Sequence, residues 1–192
     1  MRQDGYITVR KLGVFVCFIF VLIFLACNSM NNKDKKIKTA EQILGNPNYR
    51  AISYGGYRMK KREIQPSIGQ IKEDMKILHA MGIRILRTYN VHLKQAENVL
   101  VAISELKQAD PDFEMYVMLG AWIDCKNAWS DLPPDHNAES LNNAIEIHKA
   151  VSLAKKFPDI VKILAVGNEA MVKWATAYYV QPWVILKWVK YL

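Results

Sequence analysis

The chain has 192 residues, 51% of them hydrophobic and 23% charged, with a formal net charge of +8. That balance is ordinary for a globular protein. Its basic residues are scattered or gathered in one polar stretch, and no RNA- or DNA-binding signature accompanies them, so nucleic acid is excluded as a partner.

Residues 1–26 stand apart. Arg2, Arg10 and Lys11 precede an apolar run over residues 12–26, which is the pattern of an export signal. The run is shorter than the ~20 residues of a spanning helix, although a single-pass anchor is the alternative. Phe24-Leu25-Ala26-Cys27 resembles the lipobox of bacterial lipoproteins, with Phe24 where leucine is usual. Cys27 is therefore the expected lipidation site, against an ordinary secretory signal with a chance cysteine. The expected location is exported and membrane-anchored at the cell envelope or surface. Residues 27–48, polar at their start with Lys33, Lys35 and Lys36, suit a tether. Of three cysteines, Cys17 leaves with the signal and Cys27 carries lipid, so Cys125 is alone and no intramolecular disulfide or cysteine metal site is expected.

The remainder, residues 49–192, alternates strand with helix. "AISYGGYR" at 51–58 predicts a short strand broken by two glycines. Ser67 and Gln70 form a capping box ahead of the stripe Ile71, Met75, Leu78 and Met81, and Gly82 ends that helix. "IRILRTY" at 83–89 is the second strand, and a helix over 95–109 stops at Asp110-Pro111. "FEMYVMLGAWI" at 113–123 is the third strand, followed by a long loop over 124–137. A helix over 142–157 halts at Pro158, and "IVKILAVG" at 160–167 is the fourth strand. The last stretch is mostly helix-compatible, with Pro182 interrupting or restarting it.

Four β/α units imply a parallel sheet with covering helices. "YGGYR" lacks the dinucleotide fingerprint, which favours a barrel over a doubly wound sheet. A (β/α)8 TIM barrel takes roughly 250 residues. The expectation is thus an α/β protein carrying only about the first four units of such a barrel. Active groups of a barrel sit at the carboxyl ends of its strands, and here those ends carry Tyr54, Arg87, Tyr89, Asn90, Trp122, Asn168 and Glu169. Alternation along the fourth strand places Val161, Ile163, Ala165, Gly167 and Glu169 on one face, toward the lumen.

In "NNAIEIHKAVSLAKKFPDIVKILAVGNEA", with "IRILRTYN", "VMLGAWI" and "SYGGYR", the chain resembles the first half of glycoside hydrolase family 17 over residues 51–170. Val166-Gly167-Asn168-Glu169 is the most specific element of the likeness. The resemblance implies a β-1,3-glucanase or glucan-remodelling barrel with a β-glucan substrate, a retaining mechanism, and neither cofactor nor metal. It implies that Glu169 is the general acid/base, that Asn168 hydrogen-bonds the sugar 2-hydroxyl, and that Arg87 supports the nucleophile electrostatically. Tyr54, Tyr89 and Asn90 match positions lining the sugar subsite. Trp122, Trp129 and Trp174 are candidate stacking platforms, with plain packing as the alternative. Four histidines (His79, His92, His136 and His148) have no metal-ligand spacing.

A retaining glycosidase needs a second carboxylate about 5 Å from the first. In the family that residue closes the seventh strand, and here Asp124 and Glu139 match no nucleophile motif. The expectation is that this stretch alone does not turn over glucan. The alternative function is a glycan-binding surface lipoprotein or an inactive remnant.

Overall fold

The structure, a computed structural model, describes residues 37–192. The export signal, Cys27 and the polar stretch through residue 36 lie outside the described residues. In chain order the elements are α1 (Ala40–Ile43), β1 (Arg50–Ser53), α2 (Ile68–Ala80), β2 (Ile83–Arg87), α3 (Lys94–Ala109) and β3 (Tyr116–Ala121). They continue with β4 (Cys125–Lys126), β5 (Asp135–Glu139), α4 (Asn142–Lys156), β6 (Val161–Val166) and α5 (Pro182–Tyr191). Strands β1, β2, β3 and β6 pair side by side, in that order and all parallel, while β4 and β5 form a separate antiparallel pair. Helices α2, α3 and α4 fall between successive strands of the parallel sheet, the α/β alternation expected from the sequence.

Local chemistry sets these boundaries. At α2 the Ser67 hydroxyl accepts from Gln70 N–H at 3.2 Å and the Gln70 side chain accepts from Ser67 N–H at 3.0 Å, which completes the capping box. The helix buries Ile71 and Met75 and ends at Gly82, whose φ of +83° is the left-handed value a helix C-terminus favours. Helix α3 buries a wider stripe that includes Val99, Leu100, Ile103 and Leu106. Each such side chain contributes about 1.5–3 kcal/mol through removal from water. Pro182 opens α5, where its missing N–H leaves no bond unmade.

The sheet has two differently occupied faces. Leu86, Val117, Leu119 and Ala121 join the helices in the main core, whereas Ile85 and Tyr116 face the other way, against Ile43. Val161 departs from simple alternation. Val117 pairs with Val161 but Met118 pairs with Ile163, so β6 carries one extra residue there. The shift turns Val161 into the helix-facing core, not toward the face of Ile163 and Ala165 that strict period-two counting gives it.

Three further expectations are revised. Residues 38–48, expected to belong to the tether, are part of the compact unit of residues 38–192. Thr39 and Gln42 cap α1, Ile43 is 1% exposed, and Lys38 pairs with Glu114 at 2.7 Å. The stretch 124–137, expected to be loop throughout, contains β4 and the first three residues of β5. After Glu169 the chain runs through turns, and helix returns only at Pro182.

Candidate active site

The carboxyl ends of the parallel strands gather most of the polar and aromatic residues anticipated there. Their placement begins with Gly120 in β3. Its N–H donates to the Thr88 hydroxyl at 3.1 Å, and a Cβ at this position would stand 2.3 Å from the Thr88 carbonyl oxygen and 2.7 Å from the Tyr89 carbonyl carbon. Only glycine lets the loop after β2 lie directly on β3, and that contact fixes Tyr89 and Asn90.

Strand β6 ends at Val166, and the next three residues form an unusual turn. Gly167 has φ +77° and Glu169 has φ +52°, so a carboxylate-bearing residue occupies the left-handed region. That conformation costs a non-glycine residue about 1–2 kcal/mol. Glu169 thus reaches the strand end through a left-handed turn, not by continuing the alternation of the strand. A strained residue at a strand end is a recurrent mark of function. The Glu169 side chain is exposed, and the Tyr178 hydroxyl donates to its Oε2 at a long 3.5 Å.

Beside it, Arg87 donates through a guanidinium NH2 to Asn168 Oδ1 at 2.8 Å. Because guanidinium offers only donors, this bond fixes which way the Asn168 amide faces and leaves its Nδ2 to donate to a bound hydroxyl. Arg87 also lies over the Tyr89 ring, 5.6 Å from its centroid. Three rings from three segments form an aromatic wall. Trp122 and Tyr178 are 5.2 Å apart, Trp129 stacks on Tyr178 at 5.1 Å, and Trp122 and Trp129 lie 6.4 Å apart.

A cleft of about 440 Å³ is lined by Tyr57, Tyr89, Asn90, Trp122, Trp129, Asn168, Glu169 and Tyr178, whereas Arg87 is not part of its lining and reaches it only through Asn168. Among the described residues that line it, Glu169 is the acidic one. A neighbouring cavity of about 590 Å³ shares Asn90, Trp122 and Trp129 with the cleft and adds Asp124 and Glu146. An exposed carboxylate, an oriented amide and an aromatic wall suit a polyhydroxylated ring, with hydrogen bonds at its edge and stacking on its face.

Two of the anticipated residues sit elsewhere. Tyr54 is 7% exposed and packed in the helix-facing core, and its hydroxyl donates to Asp74 on α2 at 2.6 Å. Burial, reinforced by the Asp74 charge, pushes its phenol above the ordinary range. Gly55 and Gly56 follow Tyr54, Gly56 with a φ of +68°, and Tyr57 lines the cleft in its place. Trp174 is 70% exposed and is not among the residues lining the cleft or the neighbouring cavity.

The acids set aside in the sequence also have other environments. Glu139 accepts from Trp188 Nε1 at 2.7 Å and from Lys187, both on α5. Asp124 is 6% exposed with Oδ1 unpartnered. Burial raises its carboxyl above the usual range, opposed by Ser140, Trp122 and Trp129 beside it. No cluster of three or more histidine, cysteine, aspartate or glutamate side chains suited to a metal occurs among the described residues.

Sequence reasoning missed Tyr178 and Glu146. The aromatic pair Tyr178-Tyr179 soon after Glu169 was a legible signal, whereas Glu146 reads as a solvated helix acid until its partners are known.

No protein-family model matches the chain, and no curated protein matches it. Its structure is similar to the crystal structure of an endo-laminarinase from Formosa Hel1_33_131, with a TM-score of 0.80 and 68% sequence identity. The match covers 80% of this chain and 39% of that one, so this chain spans well under half of the laminarinase's length. The fold of this chain is therefore a glucanase-like α/β fold with a four-stranded parallel sheet.

Proposed function

We propose that this chain carries the acid/base side of a β-1,3-glucan hydrolase of the glycoside hydrolase family 17 type, built on a TIM barrel. The observation that carries the reading is Glu169, held in left-handed backbone at the end of β6 and nearly free of partners, with Asn168 clamped by Arg87 next to it. The 68% identity to an endo-laminarinase supports β-1,3-glucan as the substrate.

In this reading Glu169 protonates the leaving glycosidic oxygen and then deprotonates the incoming water. Asn168 Nδ2 donates to the sugar 2-hydroxyl, a contact that strengthens as the ring flattens toward the oxocarbenium ion. Arg87 holds that amide in place from beside the cleft. Tyr89 and Asn90 border the ring, and Trp122, Trp129 and Tyr178 supply its stacking face. Retention requires a nucleophilic carboxylate about 5 Å from Glu169, and we assign it to a segment outside residues 37–192. Export and lipid anchoring at Cys27 belong to the same proposal and set the enzyme against extracellular glucan.

The cleft's single acidic residue among those described also suits a glycan-binding protein without turnover. One experiment separates the two readings. The whole gene product and its Glu169→Gln variant are assayed for reducing ends released from β-1,3-glucan and from β-1,4-glucan, with binding followed by affinity electrophoresis. Hydrolysis of the β-1,3 polymer, lost in Glu169→Gln while binding persists, supports the enzyme. Binding without hydrolysis in both proteins supports the lectin-like alternative, and neither binding nor hydrolysis removes both.

A further inference from the structure

Glu146, on the second turn of α4, is 5% exposed, a costly place for a carboxylate unless its oxygens are fully used. Here they are. Oε1 accepts from the backbone N–H of Val91 at 2.6 Å and from that of Trp122 at 3.0 Å, and Oε2 lies 3.2 Å from His92 Nδ1. One side chain thereby ties three segments together: helix α4, the loop after β2 and the end of β3. Hydrogen bonds to an ionised acceptor are roughly twice as strong as neutral ones. The two amides are adjacent to, or part of, the residues that border the cleft. Val91 follows Asn90, and Trp122 is itself a wall of both the cleft and the neighbouring cavity.

We infer that Glu146 is a positioning residue that sets Asn90 and Trp122 against the cleft. It governs how a sugar ring is held and takes no part in proton transfer at Glu169. The inference rests on the glycan reading for its ligand but not for its geometry. Asn143 plays a smaller version of the same part, because its side chain accepts from Asp124 N–H at 3.0 Å and donates to Asp124 O at 2.9 Å. That bond pair holds the next residues of the chain, so α4 grips the segment after β3 at two successive points.

The test uses the whole gene product with Glu146→Ala and Glu146→Gln. Glutamine keeps one acceptor oxygen and the shape of the side chain, so it folds under conditions where alanine fails. Two readouts are taken. Amide hydrogen exchange at Val91 and Trp122 needs no ligand, and it is expected to accelerate at least tenfold at both amides together in Glu146→Ala and less in Glu146→Gln. Steady-state kinetics on β-1,3-glucan are expected to show KM raised about tenfold, kcat within threefold of the parent, an unmoved pH profile and partial rescue by glutamine. Unchanged exchange at either amide overturns the inference. So does a fall in kcat with a shifted pH profile, or a folded alanine variant whose KM is that of the parent. If the parent protein neither binds nor cleaves β-1,3-glucan, the proposed function fails, while paired acceleration of the two amides still upholds the positioning role.

Discussion

Two glutamates at opposite ends of the parallel sheet have opposite environments. Glu114, just before β3, has three partners on one oxygen: Lys38 pairs with Oε1 at 2.7 Å, and the hydroxyls of Tyr116 and Tyr49 donate to the same oxygen at 2.8 Å and 3.2 Å. Burial pushes its carboxyl up, but Lys38, Tyr116 and Tyr49 outweigh burial and hold it below its ordinary value. Glu169, just past β6, has one long bond and a strained backbone. Every partner at the amino end lowers the energy of the folded chain. At the carboxyl end the fold leaves oxygen atoms unspent and accepts strain to place them. The same residue type is thus tied into the fold at one end of the sheet and left open at the other.

The contrast can be broken by substitution. The largest effect is expected for Glu169→Gln, which should lower β-1,3-glucan hydrolysis by the whole gene product by about 10²–10⁴-fold, the range of general acid–base assistance, with the melting temperature unchanged. Turnover within threefold of the parent would remove Glu169 from the chemistry.

Gly120→Ala comes next. The added Cβ meets the Thr88 and Tyr89 backbone, an overpacking that should cost about 1–3 kcal/mol by urea unfolding and weaken glucan binding as Asn90 shifts. An unaffected variant would mean that the two backbones separate freely.

Glu114→Gln is expected to lose about 1 kcal/mol at neutral pH, with no effect on the site. The sign with pH follows from the lowered folded value. The stabilisation by Glu114 is present above the unfolded pKa of about 4.3 and disappears as pH falls through the lower folded pKa. The parent should therefore destabilise more steeply than the variant on acidification, and parallel curves of unfolding free energy against pH would refute this.

The last stability effect has the opposite direction. Glu169→Gly relieves the left-handed strain and should raise stability by up to about 1 kcal/mol while abolishing turnover. A lowered melting temperature would show that Glu169 is held by contacts that outweigh its backbone.

Much of this arrangement is legible in the sequence. The capping box of Ser67 and Gln70, the glycine stop at Gly82 and the strand of Leu86 follow from local rules that tertiary packing leaves alone. Asn168, Arg87, Tyr89, Asn90 and Trp122 converge because parallel strands deliver their ends to one side. What failed depended on geometry that spacing does not encode. Val161 changed faces through one extra residue in β6, and Tyr54 turned into the core because Asp74, twenty residues away, offers its hydroxyl a partner. The short β4–β5 pair is anchored by contacts with the stretch before α5, among them His136 stacked on Tyr179 at 3.6 Å, which no local pattern announces. Glu146 stayed hidden for the same reason, since its partners are backbone amides that carry no residue code.

Cys125 opens β4, fully buried, and its N–H donates to the carbonyl of Tyr178 at 3.1 Å, the residue whose ring backs the cleft. Burial raises the thiol above its usual range, with the Asp124 charge adding to the effect. A thiol reagent can reach this sulfur only when the chain around it parts. Labelling at Cys125, resolved from the other cysteines by peptide mass, therefore acts as a clock for how often the wall behind Glu169 comes loose. A sugar bound against Tyr178 should slow that clock without touching the sulfur.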